Sequence, residues 1–202
     1  GLAMQAYGGT RPASGAEHYF SHLWELAHLG ADLEVPLSHG AKVAVGSLAM
    51  CAFYEALIGR DLSGIDVDAV AARRAPWPGI EADIRNRFEG ALADHAVRET
   101  RAKYLAGAEL ADRLRPLVAE WPEVTERLRA QLIPTRMLAD RLRRAGAPSR
   151  PEDIGVTRED VRALFPRAMY YRSRYTVLDV ARELGWFEEI TEEVFAPGGV
   201  WT

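Results

Sequence analysis

Apolar residues recur at helical spacing along nearly the whole chain, and this pattern constrains the fold more than any other feature. The spacing is clearest at Ile84, Phe88, Leu92 and Ala96, which follow one another every four residues and would line one face of a helix. Alternating apolar and polar runs, which are typical of half-buried strands, are almost absent. The sequence therefore predicts an all-α fold, a multi-helix bundle that forms one domain over residues 1–202.

Glycine, proline and capping residues divide this pattern into separate helices. The predicted helices each combine an apolar face with a start or stop signal, and they cover residues 17–29, 40–58, 66–74, 80–105, 108–119, 123–132, 135–144, 158–165 and 177–184. Thr157 and Thr176 are predicted to cap the last two of these helices. Residues 194–202 are predicted to form a frayed tail.

The first residues of the chain and the lack of a nucleotide-binding motif both bear on its domain organisation. The chain has no initiator Met, and residues 1–7 resemble the last turns of a helix that began earlier. No glycine-rich turn between a strand and a helix occurs, so no nucleotide-binding unit is visible. We therefore expect an N-terminal nucleotide-binding domain to be absent from this chain, although a trimmed start or a tag remnant would also explain the opening residues.

Composition and charge exclude several classes of protein. The formal net charge of -4 provides no general attraction for nucleic acid, so no nucleic-acid partner is expected. No apolar run approaches the roughly 18 residues of a membrane-spanning helix, so no membrane span is expected either. The single cysteine, Cys51, rules out an internal disulfide and suits a reducing cytoplasm. Its apolar neighbours favour a core position for it.

Three histidines are the only group of side chains in the sequence whose spacing indicates a chemical function. His18 and His22 lie four residues apart and share one face of the first helix with Glu25. The opposite face carries apolar residues at core spacing, namely Phe20, Leu23, Trp24 and Ala27. His39 begins the next helix, where a stripe of small residues would let the two helices approach; the stripe consists of Gly40, Ala44 and Ser47. A metal site is one interpretation, and surface histidines or satisfied core groups are the simpler one.

The segment around these histidines resembles the signature of the sn-glycerol-1-phosphate dehydrogenases. Residues 8–22 read Gly-Gly-Thr-Arg-Pro-Ala-Ser-Gly-Ala-Glu-His-Tyr-Phe-Ser-His, and the family has Ser where Thr10 stands. Residues 39–46, His-Gly-Ala-Lys-Val-Ala-Val-Gly, are similar to a His-Gly helix start that is shared across the iron-containing alcohol dehydrogenase and dehydroquinate synthase superfamily. Residues 172–179 look like the C-terminal Arg-Tyr-Thr-Leu-Asp segment of the family. The resemblance extends over essentially the whole chain.

The resemblance implies a fold, a reaction and a set of metal ligands. The chain would be the C-terminal helical metal-binding domain of a dehydroquinate synthase-like fold, and a homodimer is possible. His18 and His39 would bind a divalent metal, zinc or nickel, together with an upstream aspartate. The upstream domain would bind NAD(P)H, and the enzyme would reduce dihydroxyacetone phosphate to sn-glycerol 1-phosphate. His22 would be the catalytic residue, which orients the substrate or relays a proton. Alternatively, it would hold His18 or the first helix in place.

The substrate's phosphate needs positive charge and N–H donors, and the signature segment offers both. Arg11 and Ser14 precede the first helix, and Lys42 follows His39 by three residues; these three are the predicted substrate-binding residues. Arg11 would alternatively pair with Glu17. Glu17 itself is expected to point away from His18 and to act only as a first-turn charge.

Expected positions can also be given for two other histidines and two arginines. His28 and His95 are expected on the surface, whereas Arg172 and Arg174 would be solvated, ion-paired or at the mouth of the site.

Three alternative functions stay open: a dehydroquinate synthase-like enzyme, a glycerol dehydrogenase-like enzyme and a non-catalytic helical remnant. The isolated chain is expected to be inactive as a dehydrogenase.

Overall fold

The computed structural model describes residue 8 and residues 15–201, and the regular structure in that part of the chain is helical. In chain order the α-helices are α1 (Glu17–Leu26), α2 (His39–Ile58), α3 (Val67–Ala72), α4 (Trp77–Arg87), α5 (Gly90–Arg101), α6 (Gly107–Ala119), α7 (Trp121–Gln131), α8 (Thr135–Arg144), α9 (Arg158–Tyr170), α10 (Val177–Leu184) and α11 (Phe187–Phe195). A short 3-10 turn, Pro151–Ile154, precedes α9. Because no strand occurs among these described residues, the predicted all-α bundle is confirmed.

Helix α2 runs through the centre of the bundle. It packs against α1, α8 and α11, and its residues Val45, Leu48 and Phe53 have no exposed surface. The ring of Phe53 stacks on Phe165 of α9 at a centroid distance of 5.5 Å, and Phe165 meets Phe20 of α1 edge-on at 5.0 Å. Burial of these large rings together joins α1, α2 and α9 around one aromatic centre.

The same helix is apolar enough, by its length and composition alone, to cross a membrane, which the sequence analysis did not anticipate. Half of that apolar stretch is buried inside the fold, as is typical of a core helix. Length and composition alone are weak evidence for a membrane span, because the core helices of globular proteins can be equally long and apolar. We therefore describe α2 as the core helix of the bundle.

Helix α1 crosses α2 at a distance that only a glycine allows. A Cβ atom on Gly46 would lie 2.7 Å from the backbone oxygen of Glu17 and 3.3 Å from the Cβ of Phe20. The close approach predicted for these helices is therefore present, but Gly46 makes it possible. At Gly40, a member of the predicted small-residue stripe, the nearest atom to an added Cβ is 3.9 Å away.

The Gly46→Ala substitution is expected to destabilise the bundle by about 1–3 kcal/mol, the usual cost of overpacking a tight contact. Because the clash is with backbone, neither helix can relieve it by a side-chain rotation. Urea unfolding followed by circular dichroism measures the change in the free energy of unfolding. The matched control is Gly40→Ala, which is expected to leave stability unchanged or slightly raised; an equal loss at both positions would contradict the close-contact explanation.

Several predicted helix ends are confirmed by local chemistry. Helix α8 has the predicted bounds and is followed by Gly146 at φ +67°, and α10 ends at Gly185 at φ +80°, both left-handed conformations that favour glycine. The Thr157 hydroxyl accepts the Asp160 backbone N–H at 3.1 Å, so it caps α9 as predicted. Helix α9 then continues to Tyr170, beyond the predicted end at residue 165.

The long helix predicted over residues 80–105 is wrong, because the structure breaks it into α4 and α5. Phe88 adopts an extended conformation (φ -134°, ψ 152°) and is buried, and Gly90 has φ +52°. The apolar spacing continues across the break because Phe88 still faces the core. Periodicity alone therefore could not reveal the interruption.

Two further boundaries differ from the prediction. Helix α1 ends at Leu26 rather than at residue 29, and Ala27, predicted in the core, is exposed. The predicted frayed tail is also wrong, since residues 187–195 form α11 and Trp201 is buried. The indole N–H of Trp201 donates to the backbone oxygen of Ser149 at 3.1 Å, so this end of the described chain is anchored to the bundle.

Candidate functional site

The three histidines singled out in the sequence lie together where α1 meets the start of α2. The ring centroids of His18 and His39 are 5.2 Å apart, those of His22 and His39 are 5.8 Å apart, and those of His18 and His22 are 6.2 Å apart. The first pair belongs to different helices, which the contact at Gly46 holds together. Ser38 fixes the start of α2, because its hydroxyl accepts the Ala41 backbone N–H at 3.1 Å.

Carboxylates engage the Nδ1 atom of every ring in this histidine cluster (His18, His22 and His39). The Nδ1–H of His18 donates to Glu17 at 2.8 Å, and the Nδ1–H of His39 donates to Glu25 at 2.7 Å. Glu25 also accepts the Nδ1–H of His22, at 3.2 Å. A hydrogen bond at Nδ1 fixes the ring orientation and leaves the Nε2 lone pair of the neutral imidazole for another partner.

The position of Glu17 corrects the sequence analysis, which expected its side chain to point away from His18. Its carboxylate folds back over the helix start, where it accepts both the His18 Nδ1–H and the backbone N–H of Gly15, the latter at 2.9 Å. Its direction around a regular helix did not predict this contact, because a first-turn carboxylate can turn back to bind the free backbone N–H groups of the helix start. Glu17 is therefore a direct partner of His18 as well as a first-turn charge.

Glu25 is the electrostatic link between α1 and α2. Partial burial opposes its ionisation, but the hydrogen bonds and charges of His39 and His22 outweigh this effect, and its pKa lies below the ordinary value. Burial raises the pKa of the Cys51 thiol to about 11, with smaller contributions from Glu55 and Glu17. The cysteine is therefore a thiol at neutral pH.

The Glu25→Gln substitution is expected to lower the free energy of unfolding at pH 7 by less than about 1 kcal/mol, since the pair is partly exposed to solvent. Because the folded-state pKa of Glu25 is lowered, its contribution is present above the unfolded pKa of roughly 4 and is lost as the pH falls through the folded value. Urea unfolding at pH 7 and pH 3 tests this. The difference should be smaller at pH 3 than at pH 7, and Glu34→Gln in the exposed loop should show none at either pH.

The histidine cluster is open to solvent in the described part of the chain. The side chains of His22 and His39 are 36% and 47% exposed, whereas ligand sites are normally concave. No group of three His, Cys, Asp or Glu side chains suited to holding a metal ion occurs among residues 8 and 15–201. The described residues thus present two or three imidazole donors on an open face rather than a closed metal centre.

The three residues predicted to bind the substrate are placed less fully than the histidines. Arg11 and Ser14 lie outside the described residues. Lys42 is buried on α2, one turn after His39, so its ammonium group does not stand on the open face. Their roles remain predictions.

A residue that sequence reasoning missed, Tyr171, borders the cluster. Its ring centroid lies 6.3 Å from that of His22 and 6.2 Å from that of Tyr19. His95 was expected on the surface, which is wrong, because its ring lies 5.6 Å from that of Tyr171 and its Nε2–H donates to the Tyr171 backbone oxygen at 3.1 Å. The only signal in the sequence was that Tyr171 directly precedes the motif at residues 172–179. His28, in contrast, is exposed as predicted.

Comparison with known proteins identifies relatives of one kind. No protein-family model matches the chain, and no solved structure matches it. A glycerol-1-phosphate dehydrogenase, NAD(P)+, of Halalkalibacterium halodurans is 49% identical over 55 residues, which are 27% of this chain and 14% of the relative. Its namesake in Geobacillus stearothermophilus is 31% identical over 106 residues, 51% of this chain and 26% of the relative.

A third relative extends over almost the whole chain. The glycerol-1-phosphate dehydrogenase, NAD(P)+, of Bacillus licheniformis is 26% identical over 185 residues, which are 92% of this chain and 32% of that protein. The chain thus spans about a third or less of the length of these curated relatives. The curated relatives all carry this name, so the chain is similar to part of the glycerol-1-phosphate dehydrogenases.

Proposed function

We propose that this chain supplies the metal- and substrate-binding part of an enzyme that reduces dihydroxyacetone phosphate to sn-glycerol 1-phosphate with NAD(P)H. The observation that carries the proposal is the histidine cluster, in which each Nδ1 contacts a carboxylate and each Nε2 is left for another partner. The proposal assigns nicotinamide binding and the third metal ligand, an aspartate, to a segment that is not part of this chain. A single thiol and a nicotinamide-linked reduction both suit a cytoplasmic enzyme.

The donor set fits a divalent metal as far as this chain contributes to it. His18 and His39 come from two different helices, their rings are 5.2 Å apart, and carboxylates hold both at Nδ1. Carboxylate support of this kind is the usual second layer around a histidine ligand, and imidazole suits both zinc and nickel. A zinc or nickel ion held there would supply Lewis acidity toward the ketone oxygen of the substrate.

His22 is the residue of the cluster that we assign to proton transfer. It lies on the same face of α1 as His18, and its Nδ1 contacts Glu25. In its protonated form, paired with Glu25, it carries a proton on Nε2 that it can donate to the alkoxide formed when hydride reaches the ketone. Glu25 thereby serves two rings at once, because it orients His39 as well as His22.

Phosphate recognition is assigned to the segment before α1. Arg11 and Ser14, which lie outside the described residues, would place a guanidinium and a hydroxyl close to the start of α1, where backbone N–H groups favour an anion. Lys42 would add positive charge from within α2, where it is buried. An unphosphorylated triol would leave these groups without a partner, which argues for glycerol phosphate over glycerol as the substrate class.

A chimera tests this function directly. The chain is joined to the part of the Bacillus licheniformis relative that it does not match. NADH oxidation is followed with dihydroxyacetone phosphate and dihydroxyacetone, and phosphate release is followed with a dehydroquinate synthase substrate and NAD+. Metal-dependent turnover of dihydroxyacetone phosphate alone is expected. The isolated chain should show no turnover and no binding of NADH by calorimetry. Micromolar NADH binding by the isolated chain, or turnover of the other substrates instead, would contradict the proposal, and an inactive, folded chimera would favour a non-catalytic remnant.

A further inference from the structure

The segment at the end of α9 brings a guanidinium to the histidine cluster. Tyr171 is buried, with its ring 6.3 Å from that of His22. The guanidinium carbon of Arg172 lies 4.6 Å from the centroid of the Tyr171 ring, a distance typical of cation–π stacking. Arg172 and His22 therefore both lie beside the ring of Tyr171.

The backbone of this segment is held by side chains on and just after α5. His95 donates to the oxygen of Tyr171 at 3.1 Å, and Glu99 accepts the N–H of Ser173 at 2.8 Å. These two hydrogen bonds lie on either side of Arg172 in the chain. Thr100 donates to the oxygen of Tyr170 at 3.1 Å, and Lys103 donates to that of Met169 at 2.6 Å. Four neighbouring hydrogen bonds thus fix the place from which Arg172 extends.

Arg172 forms no close ion pair within the described part of the chain, and its hydrogen bond there goes to the neutral Tyr171 hydroxyl at 3.5 Å. No carboxylate among those residues lies within 4 Å of its half-buried guanidinium, whereas Arg113 and Arg182 pair with Glu183 and Glu188. A half-buried cation without a close ion pair gains stability when it binds an anion. Glu99 is the nearby carboxylate; partial burial opposes its ionisation, but the Ser173 hydrogen bonds and the charges of His95 and Arg172 lower its pKa.

A second unmet group lies next to the same ring. The Tyr19 hydroxyl is buried and has no hydrogen-bond partner within residues 8 and 15–201. Burial raises the pKa of Tyr19, and the charges of Arg174 and Arg172 act in the opposite direction. The hydroxyl is therefore a donor within electrostatic reach of two guanidinium groups. A bound anion would give the hydroxyl a hydrogen-bond partner and Arg172 a close counter-charge.

We propose that Arg172 is an anion-binding residue of the histidine cluster, which reads the phosphate monoester of the substrate, and that His95 is its positioning residue. The guanidinium presents paired N–H donors that match phosphate oxygens, and the stack on Tyr171 limits its motion. His95 acts through the backbone of Tyr171 and does not touch the substrate. This inference rests on the proposed function for the identity of the anion, whereas the anion site itself stands on the contacts described above.

The test is calorimetric titration of the full 202-residue chain with inorganic phosphate, sn-glycerol 1-phosphate and glycerol. The chain is expected to bind the two phosphates and not glycerol. Arg172→Ala should weaken phosphate binding by about 10- to 100-fold, the effect of losing one charged hydrogen-bond partner, and Arg172→Lys should lose less. Arg98→Ala, which removes an exposed cation from the same helix that carries His95, is the matched control and should bind as the unsubstituted chain does.

The positioning role of His95 has its own readout. His95→Ala should weaken phosphate binding, and His95→Gln should restore much of it, because a glutamine N–H can still donate to the Tyr171 oxygen. Zinc binding is measured in the same variants and should be unchanged in Arg172→Ala. Failure of the unsubstituted chain to bind phosphate, equal losses in Arg172→Ala and Arg98→Ala, no rescue by Gln, or loss of zinc together with phosphate would each overturn the inference. Phosphate binding without any zinc binding would overturn the proposed metal-dependent function and leave the anion site standing.

Discussion

In an enzyme that combines this chain with its nucleotide-binding partner, His18→Ala and His39→Ala are each expected to abolish retention of the catalytic metal. Each substitution removes one of the three protein ligands that we propose, so the affinity should fall by well over the roughly 100-fold effect of losing an outer carboxylate. Metal analysis of the purified variants after dialysis measures the loss. The isolated chain, to which we assign two of the three ligands, should bind zinc or nickel only weakly.

Two variants make this experiment specific to the cluster. His28→Ala removes an exposed histidine that lies outside the histidine cluster, and it should retain the full metal content. Glu25→Gln keeps all histidines but removes the carboxylate that contacts His22 and His39, and its metal affinity should fall by about 10- to 100-fold. Full metal content in His18→Ala would contradict the assignment of ligands.

In the same complete enzyme, Arg11→Ala is expected to weaken the use of dihydroxyacetone phosphate by about 2–4 kcal/mol of transition-state binding, the scale of losing a buried charged partner. Arg11 is the only cation in the signature segment before His18, and Pro12 restricts the backbone directly after it. The slow turnover of unphosphorylated dihydroxyacetone should hardly change, because that substrate has no phosphate for Arg11 to bind.

Steady-state kinetics on the two substrates separates recognition from structure. A fall in kcat/KM for the phosphorylated substrate alone assigns Arg11 to the phosphate. An equal loss on both substrates would mean that Arg11 supports the fold or the metal site, as it would if it paired with Glu17. Lys42→Ala is less suitable as a control, because Lys42 is buried in the central helix.

The sequence predicted the fold best where the deciding chemistry is local. Gly146 and Gly185 end their helices in left-handed conformations, and Thr157 caps α9 through its own first turn. The prediction was wrong where a distant partner decides. Phe88 keeps its core position while the helix breaks beside it, and Trp201 is held by Ser149, which lies 52 residues earlier.

In the candidate site, too, relations within one helix could be predicted from the sequence, whereas contacts between helices could not. His18 and His22 share a face because they are four residues apart, and the motif around His39 singled that residue out. The Glu25 contact to His39 joins two helices and depends on their close crossing, which spacing along one helix does not reveal. Tyr171 and His95 are 76 residues apart, and only the packing of α9 on α5 brings them together.

The most direct test of the central claim is an anomalous diffraction measurement at the zinc absorption edge, on crystals of the chain grown or soaked with zinc. We expect a single strong anomalous peak between His18 and His39, about 2.0–2.1 Å from the Nε2 atom of each ring. Both Nδ1 atoms should still be hydrogen-bonded to their carboxylates. The peak should be absent in His39→Ala crystals. A zinc peak bound elsewhere, or no peak at the histidine cluster at saturating zinc, would contradict the account.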